Sequence, residues 1–80
     1  MKSRKVLDIR EGGIHIICLM TDYKVNPYRV YSVDFGHRRQ IAKYGDFISV
    51  MWFVRDLYAY GADVLPMPQL IDWAKQRGAL

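Results

Sequence analysis

Cysteine is nearly absent: Cys18 is the only one in 80 residues, which excludes a disulfide within the chain. Small secreted domains usually rely on such staples, so the expected address is the cytoplasm. The basic start, Met1 to Lys5, resembles the opening of a leader, but Asp8, Arg10 and Glu11 break the apolar stretch that should follow. No run nears the roughly 18 apolar residues of a membrane span. Metal-binding side chains are sparse too. His15, Cys18 and His37 are the imidazole and thiol groups, and a spacing of three puts His15 and Cys18 on opposite faces of a strand. No metal, cofactor or small-molecule substrate is expected. Linkers, internal repeats and low-complexity segments are missing, and eighty residues make one domain.

What is present is apolar and aromatic. Hydrophobic residues make up 51% and charged residues 25%, an ordinary globular balance that excludes disorder. Six Tyr, three Phe and two Trp exceed what a thin core readily holds, and surplus rings tend to mark interfaces. The net charge of +4 is uneven. Residues 1–44 carry nine Lys or Arg against four acids, while residues 45–80 carry three against four. A polyanion partner would therefore meet the first half.

The pattern predicts an α+β fold: a three- to four-stranded antiparallel meander from residues 1–44, then two helices from residues 45–80 on one face. Leu7 and Ile9 alternate in a first strand, and Gly12-Gly13 reads as a hairpin turn. Residues 14–21 are apolar on both faces, as a central strand would be. Residues 28–35 are rich in β-branched and aromatic side chains, and Phe35 to Arg38 form a second turn. Residues 39–44 fit a strand or a helical turn, and the strand is favoured because Gly45-Asp46 makes a better helix start. The spacing predicts a helix over 47–60, with Phe47, Val50, Met51, Val54, Leu57 and Tyr58 facing the sheet and Gly61 as its stop. A last short helix is expected over Pro68 to Arg77.

Catalytic arrangements are lacking. Asp34-Phe35-Gly36 spells a kinase metal-binding tripeptide, but the accompanying catalytic-loop and phosphate-loop motifs are absent, and a hairpin turn accounts for it. Cys18 lies in an apolar run, where a thiol is usually inert. No enzyme activity is expected. Two constellations remain. Ile48, Trp52, Phe53 and Tyr60 fall outside the sheet-facing arc and form a candidate protein interface, with a partner or with a second copy in a homodimer. Arg29, His37, Arg38, Arg39 and Lys43, interleaved with Tyr28, Tyr31 and Tyr44, form a candidate polyanion site.

At His37 to Leu57, Lys43, Tyr44 and Asp46 carry a basic turn through a K-Y-x-D step into an apolar helix. This stretch resembles small uncharacterised proteins of bacterial phages and integrative mobile elements. The outline of strands followed by helices is also similar to some phage inhibitors of host defence. The resemblance implies an accessory protein and assigns no functional residue. The expected function is a non-enzymatic binding module, a protein-interaction or regulatory accessory protein. Nucleic-acid binding through the basic sheet half is the alternative.

Overall fold

The structure, a computed structural model, describes residues 2–11 and 13–58 together with 72, 75 and 76. Four strands, β1 (Ser3–Glu11), β2 (Ile14–Thr21), β3 (Tyr28–Asp34) and β4 (His37–Tyr44), form an antiparallel meander in sequence order. One helix, α1 (Phe47–Tyr58), is delineated among the described residues and lies over β3 and β4. The second expected helix falls almost wholly outside the described residues, of which Asp72, Lys75 and Gln76 have helical backbone. The ambiguous stretch 39–44 is strand.

The hairpins follow from their connections. Glu11 pairs with Ile14, and Gly13 takes a φ of +77°, a region open to glycine without steric cost. Between β2 and β3, the backbone amide and hydroxyl of Thr21 both donate to the Pro27 carbonyl, each at 2.8 Å, and close that loop.

The core lies between sheet and helix. Leu7, Ile9, Ile16, Cys18 and Val30 meet Val50 and Val54, all at most 2% exposed. Each fully buried aliphatic side chain contributes about 1.5–3 kcal/mol. Ile17 is also buried, at 3% exposed, although its register beside Asp8 and Tyr31 places it on the opposite face. The middle of the central strand is thus buried on both faces, while its outer-face neighbours His15 and Leu19 are only partly buried.

Two bulges set which side chains share a face. Lys5 pairs with Leu19 and Leu7 with Cys18, leaving Val6 as the extra residue. Val30 pairs with Ala42 and Tyr31 with Gln40, leaving Ile41 as the extra residue. A bulge puts two neighbours opposite one partner residue. Adjacent Val6 and Leu7 are accordingly both buried, and adjacent Ile41 and Ala42 both pack on the core.

Asp46 starts the helix by accepting a hydrogen bond from the Ser49 amide at 2.8 Å. That bond, with a further one from the Ser49 side chain, holds the Asp46 carboxyl below its usual range. Phe47, Val50, Val54 and Leu57 face the core as expected, and Met51 is buried. Phe53 joins them, against the expectation that it points away. At about 100° per residue it sits only about 60° from Val50, and its ring tilts against Tyr44 with centroids 5.7 Å apart.

Candidate nucleic-acid interface

The β3–β4 hairpin carries most of the expected basic site, and its register divides that site between two faces. Arg29 pairs with Lys43 and Val33 with Arg38, so Arg29, Arg38 and Lys43 share the outer face with Tyr31. His37 pairs with Asp34 and Arg39 with Ser32, which places both on the helix side of the sheet. His37, Arg38, Arg39 and Lys43 are all exposed. Among the described residues none of the four forms an ion pair.

Arg29 is differently employed. Its Nε donates to the Asn26 carbonyl at 2.7 Å and its Nη2 to the Val25 carbonyl at 3.4 Å. The guanidinium also lies 4.4 Å from the centre of the Tyr23 ring. It braces the loop in which Asn26 takes a φ of +49°, so several of its donors are already engaged. Tyr28 and Tyr44 leave the site altogether. They turn to the helix side, where Tyr28 meets Phe47 at 5.8 Å and Tyr44 meets Phe53.

The turn between β3 and β4 holds a residue that the sequence reading passed over. Phe35 and Gly36 both have positive φ, +50° and +79°, the geometry of a tight hairpin turn that favours Asn-Gly or Gly-Gly. A side chain in this region costs roughly 1–2 kcal/mol. Phe35 nevertheless occupies it with its ring 96% exposed, so no packing offsets the strain. The signal was available in the sequence, as a bulky aromatic before Gly36 in a turn. Ser32, Asp34, Phe35, His37, Arg38 and Arg39 line a shallow hollow of about 320 Å³ at this tip.

The β1–β2 side of the outer face holds a second basic group. Lys5 Nζ donates to Asp8 Oδ2 at 2.8 Å, His15 Nε2 lies 2.8 Å from Asp8 Oδ1, and Arg10 Nε lies 3.7 Å from it. The Lys5 hydrogen bond, helped by His15, keeps the Asp8 carboxyl below its usual range despite some desolvation.

The expected helix interface is narrower than the sequence suggests. Ile48 is 56% exposed. Trp52, one turn along, is half-buried, and the Arg55 guanidinium stacks 4.5 Å from its ring centre. Tyr60 lies outside the described residues. Burial pushes the Cys18 thiol up to about 12, so it stays protonated near neutral pH. No group of His, Cys, Asp and Glu suited to a metal occurs among the described residues, and no described helix is long and apolar enough to cross a membrane. Among known proteins, no family model, curated protein or solved structure matches the chain.

Proposed function

We propose that this protein is a non-enzymatic, cytoplasmic binding module for nucleic acid, engaging it through the β3–β4 hairpin and the adjoining outer sheet face. The observation that carries this reading is the set of exposed, unpaired cations, Arg38, Arg39 and Lys43, on a strand ending at the exposed Phe35 ring. Cations without internal partners keep their full charge for phosphates, and a ring among them offers a surface for bases. An accessory protein of a mobile element, the role implied by the resemblance at His37 to Leu57, has use for such a module.

Fluorescence anisotropy with labelled oligonucleotides tests the reading. Affinity should fall steeply with salt, and Arg38→Ala/Arg39→Ala should flatten the dependence of log Kd on log salt. Each lost phosphate contact removes about 0.9 from the slope for a duplex and about 0.7 for a single strand. Absence of binding at low salt would discard the proposal.

Ile48 favours a second reading, a protein-interaction or regulatory accessory protein. Its exposed side chain stands one helical turn from Trp52, and Trp and Arg, here stacked as Trp52 and Arg55, are typical interface anchors. Light scattering after size exclusion tests the homodimer form of this reading. A dimer that Ile48→Asp converts to monomer supports it, and a monomer at high concentration removes self-association.

A further inference from the structure

We propose that Phe35 is a base-stacking residue and that the hairpin tip selects unpaired bases over intact duplex. This deepens the nucleic-acid reading and rests on it. Phe35 is 96% exposed and has a φ of +50°. The fold gains neither packing nor turn stability from a ring there, and Asn would suit the turn better. A strained, solvated aromatic is informative because its backbone disfavours it and its side chain touches little.

Its surroundings name the ligand class. Arg38 lies on one side of the hairpin, and His37 and Arg39 on the other. A ring between cations on both faces matches an unpaired nucleotide, with its base on the ring and the flanking phosphates beside the guanidinium groups. In an intact duplex the bases are already stacked on each other, and a single exposed ring reaches them only by unstacking a step. Asp34, paired with His37, is the one acid among the described residues lining the hollow. Its carboxylate repels phosphate and can accept a hydrogen bond from a base amino group. The opposing hairpin provides a control, since its turn is glycine at Gly13 and offers no ring.

The test compares the wild-type chain with Phe35→Asn and Phe35→Trp. Each is titrated against a single strand, the matching duplex and heparin, which is a polyanion without bases. Phe35→Asn should raise the Tm while weakening single-strand binding about 5- to 150-fold, the range one lost aromatic–base stack implies. Its duplex and heparin affinities should stay within about twofold of wild type, since the cations remain. Phe35→Trp should keep single-strand binding. The gain in Tm excludes misfolding as the source of the loss. Equal single-strand affinity for wild type and Phe35→Asn, with binding still lost in Arg38→Ala/Arg39→Ala, would overturn stacking and leave the nucleic-acid reading intact. No oligonucleotide binding by the wild type would overturn both and leave the tip to a protein partner.

Discussion

The two hairpins carry similar basic side chains and use them in opposite ways. In β1–β2, Lys5, Arg10 and His15 gather within 4 Å of the Asp8 carboxylate. In β3–β4, Arg38, Arg39 and Lys43 have no counter-ion among the described residues. A count of positive charge gives the two equal claims on a polyanion. The position of one carboxylate separates them, because a cation with an internal partner has less field to offer and a contact to give up.

A shared core joins the two hairpins, and the largest expected effect tests whether they unfold as one cooperative unit. Leu7 is 1% exposed on β1 and belongs to the same cluster as Val30 and Val54. Leu7→Ala should destabilise by about 2–5 kcal/mol, a large share of the stability of so small a domain. The sheet signal in circular dichroism and the tryptophan fluorescence should be lost in one coincident transition. If β1–β2 melted first, the hairpins would be separate units.

The next effect concerns binding. At moderate salt, Arg38→Ala/Arg39→Ala should weaken oligonucleotide affinity at least tenfold more than Lys5→Ala/Arg10→Ala does, read by anisotropy. Similar losses from the two pairs would erase the distinction between the hairpins. A sharper form uses Asp8→Asn, which frees Lys5, Arg10 and His15 from their shared partner. This change should strengthen binding several-fold and steepen its salt dependence. An unchanged or weaker affinity would show that charge on β1–β2 is out of reach of the ligand.

Much of this architecture was legible in the sequence, for reasons that differ by element. The strand-turn-strand order, the helix start at Asp46 and most of its buried face follow from local chemistry and period. The bulges do not. Arg38 and Lys43 are an odd number of residues apart, so a regular strand would put them on opposite faces. The extra residue Ile41 brings them onto one face. Whether a strand bulges depends on packing with its neighbours, which one sequence does not display. The basic site was therefore found as a set of residues but not as a surface. Tyr28 and Tyr44 neighbour Arg29 and Lys43 in sequence, but adjacent strand residues point to opposite faces, so both rings lie on the helix side. Phe53 lies at the edge of the buried arc, about 60° from Val50, so helical period alone does not decide its side of α1.

The smallest expected effect separates the hairpins by acidity. The Asp8 carboxyl is lowered from its usual value of 3.8, chiefly by the Lys5 hydrogen bond. On acidification the unfolded chain therefore takes up a proton at this position before the folded one does. The stabilisation is complete well above 3.8 and is lost as pH falls through the folded value. Partly exposed pairs of this kind contribute no more than about 1 kcal/mol. Asp8→Asn should lower the Tm slightly at pH 7, flatten its decline on the acid side and reduce the gap from wild type at the lowest pH. The Asp46 carboxyl, also lowered, should leave a residual acid slope in the variant. Arg38→Ala/Arg39→Ala should not alter the acid limb, because those cations hold no carboxylate in the described structure. An acid limb that moved equally in both variants would mean that the field of the whole sheet, and not the Asp8 contacts, sets that carboxyl.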